Sequence, residues 1–121
     1  MMIIAIPVDE ANVEASVSDN FGRAPYYLYY ISENESSDFL VNLAMEERGG
    51  AGIKAAQILV DHNVDILLTP RCGENAHAVL HAANVKLYKS VGGKAMDNIK
   101  KFLDGELELL EDIHEGFHGG N

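Results

Sequence analysis

Residues 49–76 read GGAGIKAAQILVDHNVDILLTPRCGENA, and a change of period inside this stretch decides the fold. From Ala51 to Asp61, Lys54, Gln57 and Asp61 share one face, while Ile53, Ala55, Ala56, Leu59 and Val60 fill the other. That is the pattern of an amphipathic helix beginning near Ala51. The following VDILLTP (64–70) is a nearly continuous apolar run, as a strand covered from two sides must be. A second helix is expected over 74–83, with Ala76, Val79, Leu80 and Ala83 as its core stripe, and NVKLYKS (84–90) supplies the next short strand. Helices that return the chain to buried strands imply right-handed crossovers between parallel strands, which makes this half α/β.

Working outward, MIIAIPV (2–8) is a second fully apolar strand. Pro7 cannot donate to a ladder, so the regular strand is expected to end there. Residues 9–24 show no period and form a long loop, of which residues 10–22, polar and with few apolar anchors, are expected to be more mobile without ligand than either flanking strand. YYLYYIS (26–32) and DFLVNLAM (38–45), joined by the polar ENESS, predict a hairpin. GGKAMDNIKKFLDG (92–105) predicts a third helix ending toward Gly105. The order is β-β-β-α-β-α-β-α, with one mixed five-stranded sheet.

The 121 residues are one domain's worth, and 47% hydrophobic content suits a packed core. No apolar run approaches the roughly 18 residues of a membrane span, and no basic, small-residue leader follows Met1, so a cytoplasmic location is expected. A single cysteine, Cys72, agrees with a reducing compartment. Nine Lys and Arg against 19 Asp and Glu give a net charge of −10, without a basic patch, which argues against nucleic acid as a partner. Six of those acids lie between Asp104 and Glu115 with no Lys or Arg, so residues 106–121 are expected to be an acidic, flexible tail after a domain of residues 1–105. Tyr26, Tyr27, Tyr29 and Tyr30 put aromatics on both faces of one strand, and a homodimer contact there and simple sheet packing are both open.

Ligands of open α/β sheets sit beyond the carboxyl ends of the parallel strands. Two segments leave that edge, the loop 9–24 and residues 70–74, and they are expected to face each other across one crevice. SDNFGRA (18–24) brings the amide of Asn20, the flexible Gly22 and the guanidinium of Arg23, a set suited to an anion. Arg71, Cys72 and Gly73 lie at a predicted helix start, where free N–H groups favour anions and a thiolate. The plainer alternative makes Phe21 a core anchor, Gly22 a turn and Arg23 the partner of a surface acid. His77 and His81 fall on the stripe opposite the core, a solvated face, and His114 and His118 belong to the Gly-rich tail.

IAIPVD (4–9), SDNFGRAPYY (18–27), the opening stretch (49–76) and NVKLYKSVGG (84–93) occur in an order that resembles the dinitrogenase iron-molybdenum cofactor biosynthesis family, over about residues 2–105. The resemblance implies a ribonuclease H-like α/β fold of three layers. It also implies a non-enzymatic binding or carrier protein for an iron-sulfur or iron-molybdenum-type cluster or its precursor, exchanging it with cluster donor and acceptor proteins. Around that cluster it would set Asn20, Gly22, Arg23, Arg71, Cys72 and Gly73, with Cys72 as the metal ligand. One cysteine cannot hold a cluster as four thiolates do, so such binding would be labile, shared between chains or completed by histidine. A module for a small anion or nucleotide, without metal, remains the alternative. Nuclease chemistry needs clustered carboxylates near the first strand, and MIIAIPV has none. No Ser-His-Asp set, P-loop or CxxC pair points to another enzyme.

Overall fold

The first strand, β1 (Ile3–Val8), is buried at every position because it has a strand on each side and helices above and below. In the computed structural model, which describes residues 2–111, 113 and 114, it pairs antiparallel with β2 (Tyr26–Ile31) and parallel with β4 (Ile66–Thr69). With β3 (Ser36–Val41) beyond β2 and β6 (Lys86–Lys89) beyond β4, the sheet order is β3-β2-β1-β4-β6. Three helices cover it: α1 (Ala51–Asp61), α2 (Glu74–Ala82) and α3 (Ala95–Leu103). The expected mixed five-stranded sheet is therefore present. A separate two-stranded pair adds to it, β5 (Cys72–Gly73) with β7 (Ile113–His114).

Side-chain alternation along β1 builds two cores. Ile3 and Ala5 face Tyr27, Leu67, Ala55, Leu59 and Leu80, so α1 and α2 cover one face. Ile4, Ile6 and Val8 face Leu28, Leu68, Ala95 and Ile99, so α3 covers the other. The tyrosines of β2 serve these layers. Tyr27 and Tyr30 are buried, and the Tyr29 hydroxyl donates to the carbonyl of His62 at 2.6 Å.

Several expectations are corrected by long-range contacts. Pro7 lies inside β1, opposite Tyr27. The N–H and C=O of Ile3 both bond Asp65 on the β4 side, so the odd positions of β1 point away from β2. Pro7 thus lacks its donor where the β4 ladder, ending at Ala5 and Leu67, has already stopped. β3 ends at Val41 and does not run on to Met45, because Asn42 turns inward: its amide donates to Gly22 O at 3.0 Å and Ala24 O at 2.8 Å and accepts from Ala44 N at 2.9 Å. Ala83, expected in the core stripe of α2, is exposed and caps the helix instead.

The long loop is tied down from Ala15 onward, while residues 9–14 are exposed. Ala15, Phe21 and Ala24 are buried, Val17 bridges to Val8, and Ser18 N donates to Pro7 O at 2.8 Å. A polar composition hid these anchors in the sequence. The segment after α3 is likewise not loose over 106–111. Lys89 N donates to Glu108 O at 2.8 Å, Leu110 N donates to Leu87 O at 3.0 Å, and Leu110 is buried. Leu110 supplies an apolar anchor that the acidic composition outweighed in the sequence, and the segment covers the outer edge of β6.

Candidate functional site

Two helices begin on glycine, and both open onto one cavity. α1 starts after Gly49 (φ 70°) and Gly50 (φ 71°), left-handed positions that glycine adopts at no steric cost. Gly50 as N-cap brings no side chain, and the first intrahelical bond is Lys54 N to Gly50 O. The amides of Ala51, Gly52 and Ile53 are thus left without a partner among the described residues, as the first turn of a helix leaves them unless something caps it. α2 likewise has Gly73 as N-cap, in an extended conformation and with no side-chain cap. Thr69 Oγ1 donates to Arg71 O at 3.0 Å and shapes the turn between β4 and that helix.

The cavity measures about 760 Å³, within the range of small-molecule sites. Loop 19–23 forms one wall, residues 49–53 a second, and Arg71–Gly73 with Asn75 and Ala76 a third. Asn20, Gly22, Arg23, Arg71, Cys72 and Gly73 therefore all line the same space, and the two loops do face each other across it. GGAG reads in sequence only as the start of a helix, and it is the approach of loop 19–23 that makes it a wall. Ile53, expected in the core of α1, is exposed on this wall. Gly22 sits at a close approach. A Cβ there would lie 3.1 Å from both Cα and N of Gly52, where the loop crosses the first turn of α1.

Phe21 takes the core place that the plainer reading of the loop gave it, whereas Asn20 and Arg23 differ from their expected roles. Phe21 is a core anchor, its ring 5.5 Å from that of Tyr27, whose hydroxyl donates to Phe21 O. Asn20 is used locally, its Oδ1 accepting from Arg23 N at 3.0 Å. Arg23 pairs with no acid among the described residues. Its Nη1 donates to Met45 O at 2.9 Å and its Nη2 to Glu47 O at 2.8 Å, joining two loops at the rim. The Arg71 guanidinium is exposed and takes no partner among the described residues.

Cys72 departs furthest from expectation. A helix start and a neighbouring arginine favour a thiolate, yet the residue is 1% exposed and packs in the apolar cluster with Phe21, Ala76 and Leu110. Its backbone pairs with Ile113 of β7. Burial pushes the thiol up to about 12, so desolvation outweighs the favourable dipole, and Sγ–H donates weakly to Gly73 O at 3.5 Å.

His77 and His81 stack on the outer stripe of α2, centroids 5.6 Å apart, and neither lines the cavity. No three His, Cys, Asp or Glu side chains gather as a metal site among the described residues. His118 lies outside the described residues. Asp65 is at the amino end of β4, where its Oδ2 accepts from Ile3 N at 2.8 Å, so it is no part of a carboxylate cluster at the cavity. No helix among the described residues is long and apolar enough to cross a membrane.

The chain is similar to three known proteins and to one family model. The apo form of the orange protein from Desulfovibrio gigas superposes with a TM-score of 0.87 at 26% identity, covering 92% of this chain and 94% of the other. A Thermotoga protein, TM1290, proposed to be a NifB protein and assigned to the DUF35 family, gives 0.83 at 34% identity, covering 95% and 98%. An uncharacterized protein of Methanocaldococcus jannaschii, MJ0580, is 26% identical over 114 residues, 92% of this chain and 93% of its own. The model of the dinitrogenase iron-molybdenum cofactor family matches residues 2–105, and the chain belongs to that family.

Proposed function

We propose that this protein is a non-enzymatic carrier, working in the cytoplasm, that holds an anionic metal-sulfur cluster or its precursor in the cavity between loop 19–23 and the starts of α1 and α2. The observation that carries this reading is the pair of glycine-capped helix starts on one cavity, with the amides of Ala51, Gly52 and Ile53 free to donate. Main-chain amides at a helix start, backed by the helix dipole, hold negative charge without a side chain. The Arg71 guanidinium adds a mobile cation at the rim. Membership of the iron-molybdenum cofactor family supports a metallocluster as the anion. Cys72, the expected metal ligand, enters as protonated wall, so the cargo is held first by its charge and shape. A reversible hold of this kind suits a carrier that receives from a donor protein and gives to an acceptor. The same donors would take a small metal-free anion or nucleotide.

The test is an anaerobic titration with the tetrathiomolybdate dianion, followed by its absorption bands and by amide hydrogen exchange. Exchange should slow at Ala51, Gly52, Ile53, Asn75 and Ala76. Equal slowing by phosphate or by a nucleotide at the same concentration would favour the metal-free reading. No slowing with any of them would end the cavity reading.

A further inference from the structure

α2 carries two imidazoles on its outer stripe, and neither lines the cavity. His77 and His81 stand four residues apart, so their side chains leave the helix on the same side, one turn above the other. His77 is half-buried and His81 exposed. Their rings lie side by side, with centroids 5.6 Å apart and planes 23° from parallel. The surroundings carry little positive charge: α2 has no Lys or Arg, and Glu74 precedes His77 by three residues on the same stripe.

We propose that His77 and His81 form a bidentate site for a divalent cation of the zinc and nickel class, separate from the cargo cavity and independent of the anion reading. Neutral imidazole is the common protein ligand for such ions. Two imidazoles held on one ion at about 2.0–2.1 Å, with a tetrahedral angle between them, have ring centroids roughly 5.2 Å apart. The observed 5.6 Å is close to that, so small rotations of the two side chains bring both nitrogens onto one ion. A net charge of −10 raises the concentration of cations at the surface and favours their capture. With two protein ligands, the remaining positions fall to water, and the ion is exchangeable. Once bound, it closes a ring across one turn of a helix of 9 residues, a length that is marginal by itself. The ion therefore staples α2, whose first turn belongs to the wall of the cargo cavity.

Calorimetric titration of the full, cargo-free chain with zinc chloride or nickel chloride, with amide exchange followed on α2, tests the site. His77→Ala and His81→Ala should each weaken the tightest binding at least about tenfold, and the double variant should lose no more than about threefold beyond either, because one loss already opens the chelate. His62→Ala should bind as the wild type does. Millimolar magnesium should not displace the ion, since magnesium takes oxygen ligands and an imidazole pair offers none. In the wild type, zinc should slow exchange at least about threefold at residues 81 and 82, whose amides bond back across the stapled turn, and in neither single variant. Wild-type affinity in either single variant, displacement by magnesium, or a loss confined to His114→Ala or His118→Ala would overturn the site. Binding without slower exchange at residues 81 and 82 would overturn the staple.

Discussion

Alkylation of Cys72 by iodoacetamide should be very slow in the folded chain at neutral pH. The reactive species is the thiolate, and burial holds this thiol up at about 12. An ordinary cysteine ionises at about 8.5, so at pH 7 the folded chain carries roughly three thousandfold fewer thiolates. Ionising it at pH 7 costs about five pH units, on the order of 7 kcal/mol. A ligand recruiting the thiolate would have to offset that cost through a metal–thiolate bond, which contact with an anion's sulfur surface does not supply. Tetrathiomolybdate affinity should therefore fall less than about threefold in Cys72→Ala, a change below roughly 0.7 kcal/mol. Cys72→Ser is the poorer probe, since a hydroxyl without a good partner in that apolar cluster costs about 1–3 kcal/mol of stability by itself. The assay is the labelling rate against pH, in buffer and in urea, where an ordinary inflection should return. An inflection below pH 9 in the folded chain would refute the argument, as would a tenfold loss of affinity in Cys72→Ala.

Arg71→Ala should weaken tetrathiomolybdate binding about fivefold. A hydrogen bond to a charged group is worth about 1.5–3 kcal/mol, and solvent around this exposed residue reduces that to about 1 kcal/mol; unchanged affinity by calorimetry would remove Arg71 from the site. Gly22→Ala should cost about 1–3 kcal/mol in urea unfolding, because its Cβ must push against the Gly52 backbone; wild-type stability would show that the contact yields. Stopped-flow binding should show an association rate that rises between low and physiological salt, since screening relieves the repulsion between an anion and a chain of net charge −10; a falling rate would mean that local attraction dominates at long range. Hydrogen bonding by Lys94, and then its charge, hold the Glu14 carboxyl below its usual range, and the same bond raises Lys94. The Glu14 part of the stability is present above its unfolded pKa and lost as pH falls through the folded one. The Lys94 part is present below its unfolded pKa and lost as pH rises through the folded one. Lys94→Ala should move the Glu14 carboxyl titration upward by NMR, and no movement would dissolve the pair.

What could be read in the sequence was whatever depends on period and local chemistry. Ala51 as a helix start, the apolar runs around Ile4 and Leu67, and the meeting of loop 18–24 with residues 71–73 follow from alternation, glycine position and the geometry of open sheets. What could not be read depends on residues distant in the chain. The end of β3 is set by Asn42, whose partners lie about twenty residues earlier at Gly22 and Ala24. Cys72 is covered by an apolar cluster that includes Leu110, and its backbone by Ile113, from a segment that composition marks as solvated. Arg23 was legible as a cation of the site, but its carbonyl partners were not, because nothing in SDNFGRA points to Met45 or Glu47. Gly49–Ile53 were seen as the opening of a helix, and only the crossing of loop 19–23 over that opening makes them a wall.

The chemistry of these walls constrains how a cargo leaves. Main-chain amides do not titrate at any physiological pH, and guanidinium groups keep their charge in proteins. The one thiol of the wall ionises far above neutrality for as long as it stays buried. A change of pH between about 5 and 9 therefore alters none of these contacts, and acid release, the route of histidine-based switches, is not available to them. What can change is geometry: the exposure of the two helix starts. A protein docking at the rim can act on it. Release on contact fits a carrier better than release on acidification, since a labile metal-sulfur anion freed into solvent is exposed to water before it reaches an acceptor. The absence of side-chain caps on α1 and α2 has a physical sense in that light. An Asp or Ser cap would satisfy the same amides permanently, at a gain of about 1 kcal/mol each, and would close the site to any anion.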